Sequence, residues 1–180
     1  MRFFVLQVQT GGEDKFLRHL DRRYPDLRPQ FFWPRRSLRI KRKGVWRNSL
    51  APIFPGYLFL RTGEVDPGLF QTVRRIPGFY RFLDSNQNIV PLGPDDTELI
   101  RHFLSFGEVV DRSLAYFDEN RRIRIVSGPL KGLEGKIVKV DRRKGRAKVA
   151  LELYKESFQI DFGYESLEAA PEQNQTAQAG

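Results

Sequence analysis

Phe54-Pro55-Gly56-Tyr57-Leu58-Phe59-Leu60 and, farther along, Arg121–Val149 (RRIRIVSGPLKGLEGKIVKVDRRKGRAKV) are the two stretches whose reading decides the fold of this 180-residue chain. In the first, Pro55 and Gly56 make a rigid turn that enters an apolar strand over 56–61. In the second, Ile123, Ile125, Ile137, Val138 and Val140 are expected to face the interior of a small barrel. Ser127-Gly128-Pro129 reads as a turn, and Gly135 as a sharp strand start or a close backbone approach. Strands are expected at 121–126, 135–141, 146–152, 157–161 and 165–168, punctuated by Gly128-Pro129, Gly132, Gly135, Gly145 and Gly163. So many short strands in so short a span predict a closed barrel, because closure removes exposed edges.

Outward from the first stretch, residues 3–9 (FFVLQVQ) read as a strand, followed by a turn at Thr10-Gly11-Gly12. Glu13 and Asp14 suit the positive end of a helix that carries Phe16, Leu17 and Leu20 on one face and ends at Pro25. Short extended segments at 28–34 and 37–42 precede a loop at 43–53. Asp66-Pro67 caps and starts a second helix, with Leu69, Phe70 and Val73 on its apolar face. A strand at 79–83 and a helix at 94–106 complete the order β-α-β-β-β-α-β-α, an α+β layer structure. The expected division is a domain over 1–106, a connecting segment without periodic pattern over 107–120, an all-β domain over 121–169 and a disordered tail over 170–180.

Net charge is +9, from 31 Lys and Arg against 22 Asp and Glu, which favours an anionic partner and above all nucleic acid. The chain has no cysteine, which excludes disulfides, thiolate zinc sites and cysteine nucleophiles and fits a reducing compartment. The N-terminus does not read as a signal peptide, and no apolar stretch approaches the roughly 18 residues of a membrane span. A cytoplasmic protein is expected, with no membrane contact. His19 and His102 lie far apart, no HExxH spacing occurs, and Gly128-x-x-x-Gly132 lacks the Gly-Lys-Ser/Thr of a phosphate loop. Neither a catalytic residue, nor a metal site, nor a cofactor is expected, and the protein is not read as an enzyme.

In their order and spacing the two stretches resemble the NusG family of transcription elongation factors. These pair an N-terminal NGN domain, an antiparallel sheet with flanking helices, with a C-terminal KOW domain, an SH3-like small barrel. Gly128-Pro129-x-x-Gly132-x-x-Gly135 matches the family pattern, and DFGYESLE at 161–168 resembles its closing segment. A barrel of this type also occurs in ribosomal proteins, so it does not fix function alone. The resemblance implies that an apolar pocket of the NGN domain grips the clamp helices of RNA polymerase. By motif and position Phe3, Phe4, Phe54 and Tyr57 match that surface, and Phe70 and Val73 are expected beside it. In general members the barrel binds the termination factor Rho or the ribosome; Leu133 stands where those members carry an aromatic contact residue.

Two basic segments depart from the general pattern. Arg35–Arg47 (RRSLRIKRKGVWR) has seven basic residues and no acid. Arg35, Arg39, Lys41 and Lys43 share odd positions and hence one face of a strand, with Arg36 beside them and Trp33 and Trp46 near for base stacking. The barrel loop Lys139–Lys148 has six basic residues and one acid. There Arg142, Arg143, Lys144, Arg146 and Lys148, with Lys131 before them, are candidate contacts to a leader RNA or an exposed DNA strand. These segments look most like the specialised antiterminator paralogue LoaP. Three readings stand: a monomeric factor for elongation and processive antitermination, a general NusG factor coupling polymerase to Rho or the ribosome, and a KOW-containing ribosome-associated RNA-binding protein.

Overall fold

The computed structural model describes residues 1–168, so the tail expected at 170–180 falls outside the described residues. Strand β1 (Arg2–Val8) runs through the middle of the N-terminal half. Phe3, Phe4, Val5, Leu6 and Val8 are all buried, because both faces of the strand are covered. Helix α1 (Glu13–Arg23) buries Phe16, Leu17 and Leu20 as its spacing predicts. Next come β2 (Phe31–Phe32), β3 (Arg35–Arg42), β4 (Val45–Pro52) and β5 (Tyr57–Thr62). Helix α2 (Pro67–Arg74) starts as expected: the Asp66 carboxylate accepts the Leu69 N–H at 2.8 Å and Pro67 opens the helix. Strand β6 (Phe79–Phe82) and helix α3 (Pro94–Leu104) follow.

The antiparallel sheet β2-β5-β1-β6 separates two apolar clusters. On one face Phe4, Leu6, Val8, Leu58 and Leu60 meet α1 and α2. On the other, Phe3, Val5, Tyr57 and Phe59 meet Phe54, Ile100 and Phe103, and that cluster runs on without a break into the C-terminal half. There β7 (Val109–Val110), β8 (Ser113–Phe117), β9 (Ile123–Ser127), β10 (Ile137–Asp141), β11 (Arg146–Leu153) and β12 (Glu156–Ser166) follow. Five of these form the curled sheet β10-β11-β12-β8-β9, a half-barrel.

Several expectations are corrected. Residues 43–53 hold strand β4 rather than a loop. Lys43 and Gly44 lie at φ 47° and 81°, the paired left-handed conformation of a two-residue hairpin turn whose twist matches the strands. A lysine in that conformation gives little local signal. The connecting segment 107–120 contains β7 and β8, which pair parallel with the distant strands β3 and β12. β7 gains its regularity from a remote partner alone, whereas β8 also pairs antiparallel with β9, the next strand in the chain. The two strands expected at 157–161 and 165–168 are one, β12. Gly163 does not interrupt it; a Cβ there would meet Arg112 Cγ at 2.7 Å and Ser37 O at 3.2 Å, so the glycine permits a close approach of β3.

The barrel is not closed: among the described residues no ladder joins its edges β9 and β10, and its apolar side rests on α3 and the β1–β5 face. Val138, expected inside, is 55% exposed, because a register shift between Ile137 and Lys139 reverses the alternation. Gly135 lies in a short 3-10 turn (Glu134–Lys136) with nothing within 4 Å of a Cβ, so no close approach explains it.

Candidate functional site

The turn Phe54-Pro55-Gly56 is fixed from three sides. Gly56 has φ +82°, and a Cβ there would lie 2.7 Å from Thr10 Oγ1, so a side chain at this position would be both strained and crowded. Its N–H donates to Glu13 Oε1 at 2.7 Å, and its carbonyl accepts the Val8 N–H at 2.8 Å. Glu13 is 2% exposed, so this carboxylate serves as an internal clamp rather than as a surface charge at the helix start.

The turn aims Phe54 and Tyr57 at the face shared with α3. Phe54 stands edge-on to Phe59 at 5.9 Å and to Phe103 at 6.4 Å. The half-barrel completes the set. Phe158 of β12 meets Phe54 edge-on at 5.3 Å and Tyr57 at 5.9 Å, while Phe162 stacks on Phe103 at 5.5 Å with 10° between the rings. The aromatic pocket of the N-terminal domain is therefore filled by the chain's own C-terminal domain.

Polar contacts rim this interface. Tyr57 Oη donates to Glu156 Oε2 at 2.6 Å; burial, then that bond to a carboxylate, push the phenol up to about 12. Asp96 Oδ2 accepts the Tyr154 N–H at 3.2 Å. Burial raises the Asp96 carboxyl above its ordinary range; the Tyr154 N–H opposes that rise, and Asp95 and Glu152 add to it. His102 Nε2 lies 2.7 Å from Pro129 O. The Arg36 guanidinium donates to the carbonyls of Asp161 and Pro52, and burial lowers it to about 10 despite Asp161 beside it.

The six apolar candidates divide into two groups. Phe3, Phe54 and Tyr57 belong to the cluster facing the half-barrel, whereas Phe4, Phe70 and Val73 belong to the opposite one with α1 and α2. Consecutive strand residues point to opposite faces, so Phe3 and Phe4 cannot share a pocket. Sequence reasoning missed Phe103, Phe158 and Phe162 as members of this surface. The even spacing of Phe158, Ile160 and Phe162 was the available signal.

The basic candidates also sort themselves. Arg39, Lys41 and Trp46 share a face of the β3–β4 hairpin, with Lys41 directly opposite Trp46. The Arg39 guanidinium lies 5.2 Å and Lys41 Nζ 6.0 Å from the indole centroid. Across from them stand Arg143, Lys144 and Arg146 of the barrel loop, and the two sets enclose a cleft of about 440 Å³. Arg146 Nη2 ties the walls together by donating to Arg39 O at 3.2 Å. Arg142, its guanidinium 3.8 Å over the Phe117 ring, lines an adjoining groove with Arg112.

The remaining candidates are placed elsewhere. Arg35 lies 4.6 Å over Trp33, Arg36 sits in the domain interface, and Lys43 occupies the hairpin turn. Lys131 donates to Ile125 O and pairs with Glu134 at 3.7 Å, and Lys148 lies 3.9 Å from Asp161. No group of His, Cys, Asp or Glu among the described residues has the geometry of a metal site, and no helix there is long and apolar enough to cross a membrane.

Residues 1–101 match the family model described as transcription termination factor nusG. The chain belongs to the NusG family. Residues 119–150 match a second model, the KOW motif, which places NGN and KOW domains on the two halves described above. Among NusG relatives, the transcription termination/antitermination protein NusG of Thermus thermophilus is 25% identical over 169 residues, covering 86% of this chain and 90% of that one. The protein of the same name from Streptococcus pyogenes is 27% identical over 150 residues, covering 79% and 82%. The fold is similar to a solved structure titled "Domain interaction in Thermotoga maritima NusG". The TM-score is 0.54 and the identity 18%, over 90% of this chain and 93% of that one.

Proposed function

We propose that this NusG-family chain is a transcription elongation and antitermination factor that works by binding, not chemistry. Its NGN pocket, built on Phe54, Tyr57 and Phe103, takes the clamp helices of RNA polymerase, and its basic surface takes a leader RNA or an exposed DNA strand. NusG-family proteins are transcription factors, and the relatives' shared name supports this reading. The observation that carries it is the aromatic pocket itself. A rigid turn and a buried carboxylate hold its rings in place, and Phe158 and Phe162 fill it as an incoming helix would. Polymerase helices therefore gain the pocket by displacing the half-barrel.

The relatives' names favour a general factor, whereas the cluster of Arg143, Lys144 and Arg146 against Trp46 favours a specialised one addressed by nucleic acid. In the closed arrangement Leu133 is 8% exposed, so it offers little surface to Rho or the ribosome. The test is a polymerase pull-down with the wild-type chain and with Phe158→Asp, which loosens the cover. Capture by the wild type, strengthened at least tenfold by the substitution, is expected. Failure of both to retain polymerase would overturn the reading.

A further inference from the structure

We propose that the cleft between the β3–β4 hairpin and the barrel loop is one composite site for single-stranded nucleic acid, and that a bound strand holds the two domains together. This rests on the nucleic-acid arm of the function proposed above and names its site in the closed chain, before polymerase enters the pocket. The cleft of about 440 Å³ has one wall from each domain: Arg39, Lys41 and Trp46 on one side, Arg143, Lys144 and Arg146 on the other. Trp46 is 42% exposed with the Arg39 guanidinium and Lys41 Nζ over its ring, so a base that takes their place on the indole keeps its phosphates beside cations.

Arg146 joins the two walls: it lines the cleft, and its Nη2 reaches across to Arg39 O. A guanidinium at such a seam is suited to phosphate. Acidic compensation is thin: Asp141 is 3.9 Å from Lys144, and Glu165 pairs with Arg112 at 3.4 Å in the adjoining groove. Five cations lining the cleft face a ligand that is itself polyanionic.

The site exists only while the domains are closed. A strand that binds both walls favours closure by its differential affinity, and closure keeps Phe158 over Phe54 and Tyr57. Nucleic acid in this cleft and a helix in the aromatic pocket thus oppose each other, by the same factor in both directions.

The experiment titrates the full-length chain with the hexamers rU6 and dT6 and follows quenching of Trp46. A Trp33→Phe background leaves Trp46 as the sole indole; Trp33 Nε1 has no hydrogen-bond partner to lose. A hexamer is short enough that only a joint site feels both walls. Lys41→Glu and Arg143→Glu, both exposed positions, should each weaken binding at least tenfold. With about five phosphates engaged, raising salt from 50 to 200 mM should cost roughly 100-fold. Phe158→Asp, its folded state checked by circular dichroism, should lower hexamer affinity at least tenfold.

If either charge reversal leaves the affinity unchanged, or if the opened variant binds as tightly as wild type, the composite site is refuted. Displacement of the hexamer by polyglutamate of matched charge would reassign the cleft to acidic protein and refute it as well. No polymerase enters this titration, so its failure is distinct from failure of the pull-down.

Discussion

Replacing Phe158 by Ala should open the chain without unfolding it, and the size of the effect follows from the contacts. Phe158 stands edge-on to Phe54 at 5.3 Å and to Tyr57 at 5.9 Å. Such pairs contribute about 0.5–1.5 kcal/mol each beyond area burial, so the two together contribute about 1–3 kcal/mol. Loss of the ring's apolar burial adds about 1 kcal/mol. A total near 2–4 kcal/mol corresponds to a rise of about 30-fold to nearly 1,000-fold in the open population.

Amide hydrogen exchange reads this directly. The Tyr154 N–H donates across the interface to Asp96, whereas the Gly56 N–H donates to Glu13 within the NGN domain. Domain opening accelerates exchange at Tyr154 by the predicted factor and leaves Gly56 protected. Equal acceleration at both amides would mean global destabilisation, and no acceleration at Tyr154 would mean that the aromatic contact does not hold the domains; either result refutes the reasoning.

Glu13→Ala should be costly out of proportion to its place near a helix start, because it strands the buried Gly56 N–H: about 2 kcal/mol, read as a fall of roughly 8–16 °C in the melting temperature of a domain this size. Glu13→Gln, which keeps an acceptor, should recover part of that loss. The Tyr57 hydroxyl gives the interface an alkaline limit. Its phenol in the closed chain is raised to about 12, so the contribution is fully present below the ordinary tyrosine value near 10 and is lost as pH rises through 12. Tyr154 amide exchange should therefore speed up across that window after correction for intrinsic exchange, and Tyr57→Phe should reduce the added pH dependence, the remainder belonging to the Tyr154 phenol, which burial and Asp84 also raise.

The elements legible in the sequence were those whose signals are local. The Asp66-Pro67 start of α2 carries its cap and its first-turn proline in adjacent residues. The apolar strand after Pro55-Gly56 and the 3.6-residue spacing of α1 and α3 were equally self-contained. What was missed depends on partners far away in the chain. Strand β8 pairs with its neighbour β9, but its other edge is a parallel ladder to β12, about 50 residues later, and Gly163 is small because β3 passes close by. The candidate site shows the same division. Phe54 and Tyr57 are candidates from a turn motif, and the basic residues are candidates from composition. That Arg39 and Arg143 face one cleft, that Arg36 goes to carbonyl oxygens instead, and that Phe158 covers Phe54 are facts of tertiary packing with no counterpart in either segment alone.

The paired connector has a consequence for how any competitor gains the pocket. Val110 is registered with Arg36 on the NGN side and Ser113 with Tyr164 on the KOW side, which leaves Asp111 and Arg112 as the only residues between the two ladders. From Val110 to Ser113 that is three Cα–Cα steps, about 10 Å when fully extended. A half-barrel on so short a leash is presented to its pocket at an effective concentration in the millimolar range or above. Dilution, which separates two associated molecules, leaves this pair together. An invading helix must win an exchange against a rival that never diffuses away, so its occupancy of the pocket is set by its own strength and abundance and hardly at all by how much of this protein the cell holds.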